Sequence, residues 1–156
     1  MHQRLSQFAA LSSTDKLLFL RAWLMLGWLR IALMCVSFKQ LSASLTHHRQ
    51  KPAATRLNAE QVHLATHIGG MVARAGRFTP WQSSCLTQVM VAQRLLARRG
   101  IPGQFYLGVS RGKELQTDPT LPVAHAWLQC DNRIVNGAAG RERFAIVSTF
   151  SWGEAA

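Results

Sequence analysis

A cysteine and a histidine forty positions apart are the residues of this chain that could carry out covalent catalysis. Cys85 follows a polar stretch that includes Gln82, and it precedes a run, 86–99, with apolar residues at helical spacing. Amides and the positive dipole at the start of a helix stabilise a thiolate and can hold a developing oxyanion. His125 stands between two alanines in a strand-like stretch, where an accessible imidazole can act as a general base. We predict that Cys85 is a nucleophile, that His125 is its base and that Gln82 contributes to the oxyanion or substrate site.

A third side chain is needed to orient the imidazole, and Asn136 is the candidate that the expected hairpin favours. A two-residue turn at Asp131 and Asn132 pairs Trp127 with Asn136, which places Asn136 on the same face as His125. Asp131 lies at the other end of this hairpin, about 20 Å along the strand from His125 at about 3.3 Å per residue. We predict Asn136 as the third catalytic residue, with Asp131 as the alternative.

The composition describes one globular domain with a strongly basic surface. The chain has 156 residues, 48% of them apolar, and 18 Lys and Arg against 7 Asp and Glu give a formal net charge of +11. The apolar fraction excludes wholesale disorder, and the charge suits an anionic partner of unspecified kind. Three widely spaced cysteines do not form a disulfide framework, which favours a reducing, cytoplasmic location. We expect Cys35 and Cys130 to be small packed residues.

The amino-terminal part is expected to hold a long apolar helix. A polar start at 13–15 precedes the stretch 17–36, which only Arg21, Gly27 and Arg30 interrupt. The two arginines oppose a transmembrane position, and their spacing of nine residues places them on opposite sides of the helix. We predict a helix packed between protein surfaces and leave peripheral membrane contact as the alternative.

The pattern along the rest of the chain predicts helices followed by an antiparallel sheet, which is an α+β fold. The polar and basic segment 46–56 is interpreted as a linker, so that residues 1–56 form an amino-terminal part and residues 57–156 form the core. The later helices and strands are expected over 57–76, 85–99, 104–109, 123–130, 133–136 and 144–150.

Four segments of the second half together resemble a known family. They are Trp81-Gln82-Ser83-Ser84-Cys85-Leu86, Leu95-Leu96-Ala97-Arg98-Arg99-Gly100-Ile101-Pro102, Leu107-Gly108-Val109 and Ala124-His125-Ala126-Trp127-Leu128. The family is the leader peptidase of lasso-peptide biosynthesis, the B-protein of those gene clusters. Its catalytic domain belongs to the transglutaminase-like, papain-related cysteine proteases. The resemblance covers residues 78–150, and the amino-terminal helix is similar to the corresponding part of these proteins.

The resemblance implies a transglutaminase-like or papain-like core in which Cys85 is the nucleophile and His125 is the base. Such a protein removes the leader from a ribosomally made precursor peptide, and a separate ATP-using cyclase then closes the lasso ring. In split systems a small protein recognises the leader. The implied partners of this stand-alone peptidase half are therefore the precursor, the recognition protein and the cyclase, and no metal or other cofactor is expected. Many relatives carry an acidic residue near the position that Gly137 holds here.

Three other functions are compatible with these residues. Acyl transfer to an amine would use Cys85 and His125 in the same roles. A basic nucleic-acid-binding module would explain the charge and the lack of acidic residues from Gln61 to Lys113. No nucleic-acid-binding motif is evident, however, so we expect no nucleic-acid partner. A catalytically inactive adaptor is the third alternative, because the position after Asn136 departs from the family pattern.

Overall fold

The computed structural model describes residues 11–48, 54–110 and 123–153. Within these ranges the elements follow one another in the order expected for an α+β chain, with most of the helices before the sheet. They are α1 Ser13–Cys35, α2 Phe38–Leu41, β1 Thr46–His48, α3 Ala59–Gly76, α4 Cys85–Ala97, β2 Gly103–Ser110, β3 Ala124–Cys130, β4 Arg133–Asn136, a 3-10 turn Arg141–Arg143 and β5 Phe144–Trp152. The predicted fold class is confirmed.

The strands form one antiparallel sheet in the order β1-β5-β2-β3-β4. Neighbouring side chains along a strand point to opposite faces, so the sheet has a helix-covered face and an outer face. Phe105 and Leu128 pair on the helix-covered face and belong to the main core. Tyr106 and Trp127 pair on the outer face, where they form a smaller cluster with Phe144.

Side-chain caps fix the starts of the two helices that pack on the sheet. Asn58 accepts a hydrogen bond from the Gln61 amide at 2.8 Å before α3, and Ser84 accepts one from the Thr87 amide at 3.2 Å before α4. Each cap satisfies an amide that has no partner inside the helix. The helix starts therefore lie within two residues of the predicted ones.

The helix α1 contributes one of its faces to the main core. The helix begins after the cap residue Ser12. The side-chain hydroxyl of Ser12 accepts a hydrogen bond from the Asp15 amide at 3.1 Å. Its buried residues are Leu18, Phe19, Ala22, Leu26 and Leu29. The opposite face is exposed, so the prediction of a helix between two protein surfaces is wrong within the described chain. The physical reason is that α3 and α4 both pack on the same side of α1.

The segment predicted as a linker contains the edge strand β1. Residues Thr46–His48 pair with β5, and the His48 ring nitrogen Nε2 lies 2.7 Å from the Ser151 hydroxyl. The polar side chains of this segment do not show a strand pattern in the sequence. The strand forms nevertheless, because edge pairing depends on backbone groups and on the partner strand more than on local propensity. Residues 49–53 of the predicted linker lie outside the described ranges.

Candidate active site

Cys85 is the first residue of α4, as predicted, and its side chain is half-buried against the main core. The Ser84 cap engages the amide of Thr87. Within the described residues the amides of Cys85 and Leu86 have no hydrogen-bond partner, which is usual for the first turn of a helix. These two amides point out of the helix start and can stabilise an anion that forms beside the thiol.

The loop that leads into Cys85 is held by α1. The Trp23 indole donates to the Phe78 carbonyl at 3.3 Å, and the Arg30 guanidinium donates to the Gln82 carbonyl at 2.9 Å. The rings of Trp23 and Trp81 pack at 5.4 Å between centroids. The helix therefore anchors the loop at its start, middle and end. Sequence reasoning treated Arg30 only as an obstacle to membrane insertion and missed this role.

Gly27 allows this close approach between α1 and the loop. A Cβ at this position would lie 3.1 Å from the ring of Trp81. Two buried polar groups of the same loop have no hydrogen-bond partner in the described chain. They are the Trp81 indole nitrogen and the Ser83 hydroxyl. Gln82 itself is exposed, and its predicted part in the oxyanion or substrate site stays a prediction.

His125 lies near the start of β3, and a backbone carbonyl orients its ring. Nε2 is 2.9 Å from the carbonyl oxygen of Gly137. A carbonyl can only accept, so Nε2 carries the proton and the neutral ring keeps its lone pair on Nδ1. The ring packs against Trp127 and Phe144, with centroid distances of 5.9 and 5.0 Å. Nδ1 is therefore the nitrogen that could act as a base.

Asn136 does not orient His125, so its predicted role as the third catalytic residue is wrong. Its amide donates to the carbonyl of Gly69 in α3 at 3.1 Å, and its side chain is buried. The cause is a shift in the β3–β4 register, which pairs Asn136 with Leu128 rather than with Trp127. One extra residue in a strand moves the following side chains to the other face of the sheet.

The alternative, Asp131, lies in the turn between β3 and β4, as the sequence predicted. Its φ of 52° is left-handed, a conformation that Asp adopts more readily than most residues. The side-chain amide of Gln129 donates to its carbonyl at 2.8 Å. Asp131 is therefore a turn residue at the far end of the hairpin from His125.

The residue that orients His125 through its backbone, Gly137, cannot carry a side chain in this conformation. Its φ is +73°, and a Cβ would overlap the carbonyl oxygen of Ala126. Many members of the family that the sequence resembles carry an acidic residue near this position, where this sequence has glycine. Here the imidazole donates its hydrogen bond to a neutral carbonyl oxygen instead of a carboxylate. The sequence showed the glycine but gave no sign of this contact.

Cys85 and His125 are not hydrogen-bonded to each other among the described residues. Cys85 packs against the main core, to which Ala126 and Leu128 of β3 belong. The His125 ring lies with Trp127, whose side chain belongs to the outer cluster. The two side chains thus lie with clusters on different faces of the sheet, and their pairing as nucleophile and base stays a prediction.

The other two cysteines differ in exposure. Cys130 is buried in the main core, as predicted, and burial raises the pKa of its thiol to about 12. Cys35 is exposed at the end of α1, so the prediction that it is packed is wrong. It falls on the side of α1 that no other described element covers. Among the described residues no group of three or more His, Cys, Asp or Glu side chains could hold a metal ion.

Comparison with known proteins identifies the family. No curated protein and no solved structure matches the chain. A family model does: that of the transglutaminase-like superfamily matches residues 25–149, from the middle of α1 to β5. The match includes both Cys85 and His125, and it extends well beyond the segments that carried the resemblance. The chain therefore belongs to the transglutaminase-like superfamily, which includes cysteine peptidases.

Proposed function

We propose that this protein is a cysteine peptidase that removes the leader from a lasso-peptide precursor. The observation that carries the proposal is a thiol at the start of α4 in a transglutaminase-like domain, together with an imidazole whose Nδ1 is available as a base. The resemblance of the segments around Cys85 and His125 to the leader peptidases supplies the substrate class.

In the first half of the reaction, Nδ1 of His125 takes the proton of the Cys85 thiol. The thiolate attacks the scissile carbonyl carbon, and the oxygen becomes an anion that the first-turn amides of α4 can stabilise. The carbon–nitrogen bond then breaks, and His125 returns the proton to the leaving amine. The core peptide departs with a free α-amine, and the leader remains as a thioester on Cys85.

In the second half, His125 takes a proton from water, and the resulting hydroxide attacks the thioester carbonyl. The carbon–sulfur bond breaks, the leader leaves as a carboxylic acid, and His125 returns its proton to the sulfur, which restores the thiol of Cys85. The core peptide is then a substrate for an amine-to-carboxyl cyclisation by a separate cyclase. A small leader-recognition protein and a cytoplasmic location belong to the same proposal.

The first test measures whether Cys85 is activated. Intact-mass spectrometry after brief treatment with limiting iodoacetamide near neutral pH compares the wild type with Cys85→Ala and His125→Ala. We expect one rapid alkylation, absent in Cys85→Ala and slower by roughly tenfold or more in His125→Ala, because thiolate is the reactive form.

The protein contains its own references for this measurement. Cys35 is exposed and serves as the accessible reference thiol, whereas Cys130 is buried and should react last. Reaction of Cys85 no faster than Cys35 in the wild type would contradict the proposed dyad in the free protein. The chain would then be an adaptor, or an enzyme that is assembled only with its partner.

The second test measures cleavage of a lasso precursor by mass spectrometry, with and without hydroxylamine as a competing acceptor. Hydrolysis yields a leader that ends in a carboxylic acid. A leader hydroxamate formed in preference to the acid would favour acyl transfer to amines. Loss of both products in Cys85→Ala assigns the chemistry to the thiol, and precursor that stays uncleaved beside a fast-reacting Cys85 when the leader-recognition protein is present would contradict this substrate class.

A further inference from the structure

One face of α1 carries large apolar side chains that the rest of the described chain leaves uncovered. Each is exposed by 49–79%. We call this set the α1 stripe: Leu17, Leu20, Leu24, Trp28, Ile31 and Met34. At about 100° per residue these positions occupy about one third of the helix circumference, and at 1.5 Å per residue they extend over about 25 Å. Monomeric proteins seldom expose such a continuous apolar surface without a use for it.

The other face of α1 shows that this helix lies along the protein rather than projecting from it. By length and composition alone α1 could span a membrane, with a mean hydropathy of 1.7 in its most apolar window. Leu26 and Leu29, however, are completely buried in the main core. A transmembrane position would remove these side chains from α3 and α4. Within α1, as the structure describes it, the large apolar side chains that are free to meet another apolar surface are those of the α1 stripe.

Arginines border one long edge of the α1 stripe. Arg21 of α1, Arg94 of α4 and the two residues that follow α4, Arg98 and Arg99, line the grooves beside Leu17 and Leu24. The only acidic residue of α1, Asp15, is engaged by His67 at 2.8 Å. The stripe therefore presents apolar groups and cations together, without acidic groups among the residues lining these grooves.

Arg94 carries an unsatisfied donor at this edge. Its guanidinium lies 5.7 Å from the centre of the Trp28 ring. One of its terminal nitrogens, Nη1, is buried without a hydrogen-bond partner among the described residues. Guanidinium groups bind phosphate oxygens in a bidentate manner, so the arginines along this edge suit a phosphate-bearing surface.

We propose that the α1 stripe and its bordering arginines dock α1 flat on an anionic phospholipid surface. Leucine, isoleucine and tryptophan side chains would enter the boundary between headgroups and acyl chains, while the guanidinium groups contact lipid phosphates. An apolar helix face about 25 Å long can lie along this planar interface. Docking in this way does not require the proposed peptidase activity.

The experiment is co-sedimentation of the full chain with vesicles of phosphatidylcholine alone or of phosphatidylcholine and phosphatidylglycerol at seven to three. The apolar variant is Leu24→Ser with Trp28→Ser. Its matched control is Ile146→Ser with Val147→Ser, two β5 side chains exposed by 48% and 58%. The control is needed because a protein with a net charge of +11 is attracted to anionic vesicles even without an apolar docking face.

We expect binding to the anionic vesicles that falls roughly tenfold or more in the apolar variant and stays within about twofold in the control. Arg98→Gln with Arg99→Gln should weaken this binding by roughly tenfold or more and reduce its dependence on salt. The emission of Trp28 should shift to shorter wavelength on binding. Trp28→Phe should abolish that shift while retaining most of the binding.

Three results would overturn the proposal, provided that circular dichroism shows the variants to be folded. The first is equal binding of the apolar variant and its control. The second is equal binding to neutral and anionic vesicles. The third is a wild-type protein that does not bind vesicles and is a dimer by light scattering, while the apolar variant is a monomer. A second copy of the chain would then cover the α1 stripe.

Discussion

A carbonyl oxygen and a carboxylate can both hold an imidazole in place, but they affect its charged form differently. The Gly137 carbonyl fixes the protonated nitrogen of His125 at Nε2, which leaves Nδ1 as the base. A carboxylate would in addition stabilise the imidazolium that forms when the thiol loses its proton. The carbonyl orients His125 but supplies no negative charge. Stabilisation of charge at this site is then expected to depend more on the amides at the start of α4 than it would if a carboxylate were present.

Asn136 is expected to support the fold and not the reactivity of Cys85. In Asn136→Ala, loss of the buried hydrogen bond to the Gly69 carbonyl should lower the free energy of unfolding by about 1 kcal/mol. Urea unfolding measures this change. The alkylation rate of Cys85 should remain that of the wild type, in contrast to His125→Ala. Equal slowing in both variants would return Asn136 to the catalytic site.

At the scale of elements, the position of β4 depends on close contact with α3. A Cβ at Gly69 would overlap the carbonyl oxygen of Val135, which shows that the helix and strand backbones touch there. Asn136 adds a hydrogen bond at the same contact. Because β4 leads directly into Gly137, this packing also sets where the carbonyl that orients His125 lies.

Two adjacent glycines test this contact. Gly69→Ala should lower the free energy of unfolding by about 1–3 kcal/mol, because the added methyl group must push β4 away from α3. Gly70→Ala should raise it by about 0.5–1 kcal/mol, since a Cβ there meets nothing within 4 Å and alanine favours the helix. Chemical unfolding of both variants measures the difference. Equal effects would mean that the backbones do not touch.

The contact between α1 and α3 is expected to depend on pH. Hydrogen bonding by Ser12 first, and by His67 second, lowers the pKa of Asp15 below its ordinary value of 3.8. A lowered pKa in the folded state stabilises the protein above the ordinary value, and this contribution is lost as the pH falls through the lower one.

Asp15→Asn should therefore unfold at lower urea concentration than the wild type at neutral pH. The two proteins should converge at acidic pH, below the folded pKa of Asp15. Urea midpoints measured over a pH series provide the comparison. A difference that is the same at every pH would show that the Asp15 charge does not contribute.

At the scale of the whole molecule, the hydrophobic core includes residues on both sides of the boundary expected between residues 1–56 and residues 57–156. The main cluster joins α1 residues such as Leu26 to Val72 of α3, Met90 of α4 and Leu128 of β3. The family match likewise begins within α1, at residue 25. Removing α1 would expose a large part of the surface on which α3 and α4 pack.

A chain that begins at Leu57 is expected to lack cooperative unfolding, because it loses the whole of α1 from the core. Urea unfolding followed by circular dichroism tests this. Leu26→Ala in the full chain should lower the free energy of unfolding by about 2–5 kcal/mol, and Leu24→Ala should change it by about 0.5 kcal/mol or less. Cooperative unfolding of the shortened chain would show that residues 57–156 form a domain of their own.

The sequence by itself determined the features that depend on neighbouring residues. Polar caps at Asn58 and Ser84 and helical apolar spacing placed the starts of α3 and α4, and with them Cys85. Alternating patterns located β3 and His125. These signals are local, because a cap or a strand pattern acts over a few residues.

Only the tertiary structure decided which partner each of these residues meets. The register shift between β3 and β4 moved Asn136 to the helix-covered face, and no local pattern reveals such a shift. The α1 sequence is apolar on nearly every side, so packing of α3 and α4 alone determined that Leu26 is buried and Trp28 exposed. Burial and pairing depend on elements far apart in the chain, which a local pattern does not contain.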